Sequence, residues 1–138
     1  MIPIPVGETA VLEVVVRPEH LVDFDEMGQV HAVYATYTMA QHFEEAGRKL
    51  LVPHLEDGEA GIGRSVSVEH LAPSWVGDRL TITATCTDVT GGRLTVSVEA
   101  VDQYGRRLGH GTTVQVVAPA ALLAARTGED ARAQRSRA

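Results

Sequence analysis

A helix is predicted by VYATYTMAQHFEEAGRKLLVPHL, residues 33–55, the only stretch of the chain with a clear helical period. At about 100° per residue, seven apolar or small side chains fall on one continuous arc. They are Met39, Ala40, Phe43, Ala46, Gly47, Leu50 and Leu51. The opposite arc is polar and is predicted to hold His42 in solvent. The stretch therefore predicts one amphipathic helix that packs on a core.

The two ends of this helix have local sequence signals. Thr38-x-x-Gln41 has the form of a capping box, in which the threonine hydroxyl accepts a hydrogen bond from the Gln41 amide. Pro53 marks the other end, because proline lacks a donor and restricts the residue before it. We predict a helix that starts at this box and ends before Pro53.

Glu44 falls at the edge of the apolar arc, beside Ala40 and Leu51, whereas Glu45 points to water. A carboxylate at such an edge can be partly desolvated and still reach a cavity, which favours an acid–base role. An ordinary carboxylate on the helix surface is the competing interpretation.

Five segments predict strands from their β-branched content or their alternation: 8–17, 62–71, 79–89, 93–101 and 106–117. Gly91-Gly92 predicts a tight hairpin between two of them. Strands with one apolar face predict a sheet that the single helix covers on one side. The fold class is therefore α+β, with one domain over residues 1–125. A short helix can start in 119–125, and the charged segment 126–138 is predicted to be a disordered tail.

Composition limits the possible functions of this chain. Its 138 residues suffice to bury a core, and the net charge of -6 argues against non-specific nucleic-acid binding. No apolar run reaches about 18 residues, and the N-terminus lacks signal-peptide features, so we expect no membrane span. A single cysteine, Cys86, fits a reducing cytoplasm and is expected to pack in the core. No side-chain cluster has metal-ligand spacing, so we expect no metal.

Six motifs then suggest a family: VYATYTM at 33–39, EEAGRK at 44–49, PHLEDGE at 53–59, GIG at 61–63, VEH at 68–70 and GHGT at 109–112. With them the chain resembles the hotdog thioesterases related to fluoroacetyl-CoA thioesterase. The resemblance covers most of the chain between Val6 and Val117. It implies a hotdog fold, with one long helix on a curved antiparallel sheet of about five strands. It also implies a homodimer, with a dimer of dimers left open, and an acyl pocket at the subunit interface.

The resemblance also implies site residues. Thr36, Glu44 and His70 match the family's catalytic threonine, carboxylate and histidine, and Gly63 matches a glycine beside the thioester. No cofactor is implied, since coenzyme A is part of the substrate. Where the family's best-known member has an arginine on the last strand, this chain has Gln115. The phenylalanines that close that member's pocket are absent from the matching stretch, residues 27–30, so the acyl group stays open.

These residue types suit thioester hydrolysis, which needs a base, an activated nucleophile or water, and donors for the oxyanion. A partly buried Glu44 is the candidate base and His70 its partner, and Thr36 either attacks or orients water. Locally, His70 also fits a core histidine and Thr36 a helix start. Gly63 and His70 are seven residues apart, so a regular strand would send them to opposite faces. Either a β-bulge intervenes or Gly63 contributes only its backbone.

A second resemblance concerns DFDEMGQVH at residues 23–31, which is similar to a segment of the 4-hydroxybenzoyl-CoA thioesterase group. There Asp25 would match the catalytic carboxylate, an alternative to Glu44. We expect Asp25, His31, Gly63 and Gln115 near the substrate, and His110 as a further candidate. Trp75 either covers the pocket or anchors its own turn.

The sequence thus predicts a cytoplasmic thioesterase for a small or medium acyl-CoA. The alternatives are a non-catalytic acyl-CoA binding module and an acyl-CoA dehydratase or hydratase. The dehydratase class typically has an Asp-x-Asn-Pro-x-His segment, which the chain lacks. An acyl-carrier protein in place of coenzyme A stays open.

Overall fold

The computed structural model of the chain describes residues 1–137. Its elements in chain order are β1 (Thr9–Val15), α1 (Thr36–Leu51), β2 (Glu59–His70), β3 (Arg79–Thr90), β4 (Arg93–Val101), β5 (Arg107–Pro119), α2 (Ala120–Thr127) and α3 (Glu129–Gln134). Single 3-10 turns lie at Pro18–His20, Val52–His54 and Arg135–Arg137. The predicted strands and the long helix are all present.

The five strands form one curled sheet in the order β1-β3-β4-β5-β2, and every neighbouring pair is antiparallel. Although β2 follows the helix directly, it pairs with β5, the last strand, and so forms an edge of the sheet. The helix α1 lies across one face and contacts all five strands. The predicted α+β architecture is confirmed.

The core lies between α1 and the sheet. Met39, Phe43, Ala46 and Leu51 of α1 have no exposed surface, so the predicted apolar arc is the buried one. The facing side chains come from alternate positions of β3, β4 and β5: Leu80, Ile82, Ala84, Cys86, Leu94, Val96, Val98, Ala100 and Leu108. Each large apolar side chain buried in this way stabilises the fold by about 1.5–3 kcal/mol. As expected, Cys86 packs in this core.

Two predictions about the helix are wrong. The helix starts at Thr36, its N-cap is Ala35 without a side-chain hydrogen bond, and Thr38 is buried, so no capping box forms at Thr38. His42 is only 7% exposed, because β1 and the 3-10 turn before the helix cover that side of α1. The helical period of the sequence gives no information on this tertiary contact, because the covering segments lie outside the helix.

The hairpin at Gly91 and Gly92 is confirmed. Thr90 pairs with Arg93, and the two glycines between them have φ of 58° and 77°. Two successive residues with positive φ define the type I′ turn that matches the twist of paired strands. This turn sets the register of β3 against β4.

Two short helices follow the sheet. α2 begins at Ala120, whose N–H donates to the Gly58 carbonyl at 2.7 Å. Within residues 126–137 the chain forms helical turns, and the side chains of residues 126–136 are mostly exposed. Disorder of segment 126–138 stays a prediction, and Ala138 lies outside the described residues. Among residues 1–137, no helix combines the length and apolarity that a membrane crossing requires.

Candidate active site

Thr36 and His70 meet where α1 begins and β2 ends. Thr36 is the first residue of the helix and His70 the last residue of the strand. The Thr36 hydroxyl oxygen lies 2.9 Å from Nδ1 of His70. The packing of α1 along β2 thus joins two residues that are 34 positions apart in sequence. This contact can carry a proton from the hydroxyl to the imidazole.

His70 is suited to act as a base. Burial lowers the pKa of His70, and the backbone at Ala72 only partly opposes this effect. The imidazole is therefore neutral at pH 7. With Nδ1 unprotonated, it accepts the Thr36 hydroxyl proton. Nε2 of His70 is buried and has no hydrogen-bond partner within residues 1–137.

An open cavity of about 300 Å³ lies in front of the pair. Its lining includes His31, Val33, Thr36, His70, Leu71 and Pro73. His31 is thus beside the pair, where the sequence placed it. The walls are mainly apolar, and the polar groups converge on the Thr36–His70 contact, as is usual for small-molecule sites.

Glu44 and Gly63 form a second close contact. A Cβ atom at Gly63 would lie only 2.9 Å from Oε2 of Glu44, so the missing side chain makes room for the carboxylate. Gly63 pairs with Gln115 and Ser65 with Val114, which leaves Arg64 as the extra residue of a β-bulge. Of the two alternatives left open by the sequence, the structure thus contains the β-bulge, and the bulge brings Gly63 and His70 to the same face of β2.

The two contacts are separate within one chain. Glu44 follows Thr36 by eight residues, which corresponds to about 12 Å along the helix axis. The Glu44 side chain is exposed and lines a different groove of about 420 Å³, together with Tyr37, Arg48 and Val66. The expected partial burial of Glu44 is therefore wrong for the single chain, because nothing in residues 1–137 covers this arc of the helix.

Gln115 lies directly opposite Gly63 on the neighbouring strand β5. It is 1% exposed, and neither its amide oxygen nor its amide nitrogen has a hydrogen-bond partner among the described residues. Thr113, two residues earlier on β5, is equally buried and its hydroxyl is also unpaired. Both side chains face Gly47 of α1, where a Cβ would meet them at 3.3 Å and 2.5 Å respectively. This buried polar pair is costly unless something hydrogen-bonds to it.

The remaining candidates lie elsewhere. Asp25 is exposed, in a turn closed by the Phe24–Gly28 bridge, and it lines neither the Thr36–His70 cavity nor the Glu44 groove. His110 lines a cavity on the outer face of the sheet. Trp75 lines neither the Thr36–His70 cavity nor the Glu44 groove: its backbone N–H donates to the Asp78 carboxylate at 2.9 Å, and its half-exposed ring lies 5.7 Å from the Arg106 guanidinium.

A buried polar cluster was missed in the sequence. The Tyr34 hydroxyl is hydrogen-bonded to Nδ1 of His42, the two rings are parallel within 10°, and His20 packs edge-on to His42 at 5.0 Å. Burial, with smaller effects of His20 and Arg17, lowers the pKa of His42 to about 4. Burial also raises the pKa of Tyr34. A polar residue eight positions after a tyrosine is too weak a signal to predict this contact.

Comparison with known proteins defines first the class and then the family. The structure superposes on a Thermus thermophilus hypothetical protein, described as a thioesterase superfamily member, with a TM-score of 0.92, 44% identity and coverage of 99% of this chain and 97% of that one. A hot-dog-like protein from Thermanaerovibrio acidaminovorans matches with a TM-score of 0.79, 26% identity and coverage of 88% and 89%. The fold is therefore the hotdog fold of the thioesterase superfamily.

A mutant of the fluoroacetyl-CoA-specific thioesterase FlK, in complex with fluoroacetate and CoA, matches with a TM-score of 0.79, 30% identity and coverage of 87% and 99%. The family described as FlK, fluoroacetyl-CoA-specific thioesterase, matches residues 16–121. The chain belongs to this family. Among curated proteins, none matches the chain significantly.

Proposed function

We propose that the protein hydrolyses the thioester of a small or medium acyl-CoA to the free acid and coenzyme A. The observation that carries the proposal is the 2.9 Å contact between Thr36 and a neutral His70 at the end of an open cavity. Membership of a thioesterase family supports the reaction class, and the CoA complex of a family member supports the substrate class.

In the proposed reaction, His70 takes a proton from the Thr36 hydroxyl or from a water that this hydroxyl orients. The oxygen adds to the thioester carbonyl, the C–S bond breaks, and the proton passes to the leaving thiolate. If Thr36 itself attacks, water then hydrolyses the threonine ester with His70 again as base. The Gly63 backbone can approach the substrate closely because it has no side chain.

Glu44 enters this scheme through a homodimer, which we propose on three grounds. β2 is an edge strand, its Ile62 side chain is 40% exposed, and the Glu44 groove runs beside it. If two copies pair antiparallel through β2 about a point near Val66, Gly63 of one copy lies opposite the end of β2 in the other. One subunit's Glu44–Gly63 contact would then lie near its partner's Thr36–His70 contact and become desolvated there.

The remaining proposals concern substrate contacts and location. His31 lines the cavity and would contact the substrate there. Gln115 lies opposite Gly63, and its unpaired amide would hydrogen-bond to the acyl group or to a water beside it. Cys86 is buried and has no second cysteine to pair with, which is consistent with the cytoplasmic location that we propose.

The test is thiol release from a panel of acyl-CoA esters by the wild type, Glu44→Ala and, as a matched carboxylate control, Asp25→Ala. We expect turnover on at least one short or medium ester, its collapse in Glu44→Ala and its retention in Asp25→Ala. Loss in Asp25→Ala alone would assign the carboxylate to the loop. Ester binding without turnover on any acyl-CoA would overturn the hydrolase in favour of a binding module or a carrier-protein substrate.

A further inference from the structure

The rings of four residues pack together next to Thr36: His20, Tyr34, His42 and His70. The Tyr34 ring has no exposed surface, and its centroid lies 6.2 Å from that of His70, with the planes at 76°. On another side, Tyr34 is 5.7 Å from His42, and His20 packs edge-on at 6.4 Å. Tyr34 therefore lies between His70, which faces the substrate cavity, and His42, which lines a different cavity against β1.

His70 lacks the second hydrogen bond that usually orients a catalytic histidine. A base that uses one ring nitrogen is normally fixed by a partner on the other nitrogen, which also sets the tautomer. Here Nδ1 meets Thr36, and Nε2 is buried with no partner in the part of the chain that the structure describes. The Ala72 backbone raises the pKa of His70 but forms no hydrogen bond to Nε2, so the imidazole is oriented by the Thr36 contact and by packing, and Tyr34 is the aromatic ring against which it packs.

Tyr34 is itself fixed at both ends. Its hydroxyl is hydrogen-bonded to Nδ1 of His42, and its N–H donates to the Ser74 carbonyl at 2.9 Å. Tyr34 also precedes Thr36 by only two residues. The same short segment therefore positions both groups that contact His70, the Tyr34 ring and the Thr36 hydroxyl. Freeing the Tyr34 ring would disturb both partners of the proposed proton transfer.

We propose that Tyr34 and His42 are positioning residues for His70, and that their hydrogen bond holds the ring that keeps Nδ1 of His70 turned toward Thr36. The proposal rests on the proposed function, since orientation matters for rate only if His70 is the base. The pair suits this task because burial keeps both members uncharged: the pKa of His42 is lowered and that of Tyr34 is raised. No charge is placed beside the base.

The kinetic test uses four variants. Tyr34→Phe keeps the ring and removes the hydroxyl, His42→Leu removes the acceptor, and His42→Asn keeps a polar atom near the position of Nδ1. Tyr104→Phe, at an 84% exposed turn residue, controls for the tyrosine-to-phenylalanine change itself. We expect Tyr34→Phe and His42→Leu to lower kcat about tenfold at nearly constant KM, as a sub-ångström misplacement does. His42→Asn should recover most of the rate, and Tyr104→Phe should lose none.

A second readout needs no substrate. Nitrogen-15 spectra of the His70 imidazole distinguish its two tautomers, and we expect one dominant tautomer in the wild type and a mixture in Tyr34→Phe. If the wild type cleaves no ester, the proposed function fails while these spectra still decide the positioning. If the wild type is active but Tyr34→Phe keeps both kcat and the His70 spectrum, the positioning proposal is overturned and the thioesterase stands. A lowered Tm alone would mean the pair only stabilises the fold. If His42→Leu does not fold, Tyr34→Phe decides the question.

Discussion

Replacing Gly63 by alanine tests the Glu44–Gly63 contact with a single carbon atom. The new Cβ would lie 2.9 Å from Oε2 of Glu44, and ordinary contact begins at 3.4 Å, so the carboxylate must move by 3.4 − 2.9 = 0.5 Å. Gly63 does not have a positive φ, so alanine adds no backbone strain. Because Glu44 is exposed, its side chain can move without disturbing the core, and stability should change by about 0.5 kcal/mol or less.

Activity should be far more sensitive than stability. Misplacing a catalytic group by up to 1 Å can cost about 10²-fold in rate, so we expect kcat/KM of Gly63→Ala to fall about 10- to 100-fold at unchanged Tm. The assay is thiol release on the preferred ester beside thermal unfolding. Adding Gly63→Ala to Glu44→Ala should cause little further loss, because both changes act on the same carboxylate.

Gly61→Ala is the matched control on the same strand. Its Cβ would lie 2.5 Å from Cδ2 of the fully buried Leu51, so it overpacks the core and should cost about 1–3 kcal/mol of stability. Activity per folded molecule should be retained. If Gly63→Ala keeps kcat/KM within about twofold of the wild type on an ester whose cleavage depends on Glu44, the Glu44–Gly63 contact does not position the carboxylate for catalysis.

Three further predictions follow from the burial of polar groups. Burial lowers the pKa of His70, so the midpoint of the acid limb in a pH profile of kcat/KM should lie below pH 6.5, with constant activity above it. A midpoint above pH 6.5 would contradict this prediction. The pKa of His42 is about 4 in the folded protein and near 6.5 in the unfolded chain, so between pH 4 and pH 6.5 the unfolded chain binds one more proton than the folded protein. The free energy of unfolding should therefore be highest above pH 6.5 and fall by up to about 3 kcal/mol toward pH 4. The cavity that His42 faces is also lined by four titratable or charged residues, Glu13, Arg17, His20 and Glu45. Urea unfolding at pH 7 and pH 4.5 should show a smaller pH dependence of stability for His42→Asn than for the wild type. An unchanged pH dependence would exclude His42 as its source. Gln115→Leu removes two unpaired amide atoms, so the free energy of unfolding should stay equal or rise by about 1 kcal/mol. The same variant should raise KM or change the preferred acyl group. A large loss of stability would show that the amide is hydrogen-bonded in the folded protein.

The sequence was sufficient to predict the secondary-structure elements that depend on a local hydrophobic period or on a single turn. The apolar arc of α1, the alternating strands and the glycine hairpin depend on side chains close in sequence. The family resemblance grouped Thr36, Glu44 and His70 as one set, and within one chain the structure joins Thr36 to His70 but leaves Glu44 in a separate groove. The odd separation of Gly63 from His70 required either a bulge or a backbone role, and the bulge at Arg64 resolves that choice.

What the sequence did not predict depends on contacts between distant segments. His42 was placed in solvent because helical periodicity carries no information on β1 and the 3-10 turn that cover it. The capping box at Thr38 failed because the helix starts one half-turn earlier and turns the Thr38 side chain inward. Partial burial of Glu44 was inferred from its place beside the apolar arc, yet a single chain leaves that edge open. Each of these depends on which surface covers the helix, and for Glu44 we propose that a second copy does so.

The proposed thioesterase activity depends on the Thr36–His70 pair. The most direct measurement is the rate of thiol release by His70→Ala and Thr36→Ala on the ester that the wild type cleaves fastest, with folding of each variant verified by its Tm. We expect a loss of about 10²-fold or more in His70→Ala and a clear loss in Thr36→Ala. A folded His70→Ala variant that releases thiol at the wild-type rate would contradict it.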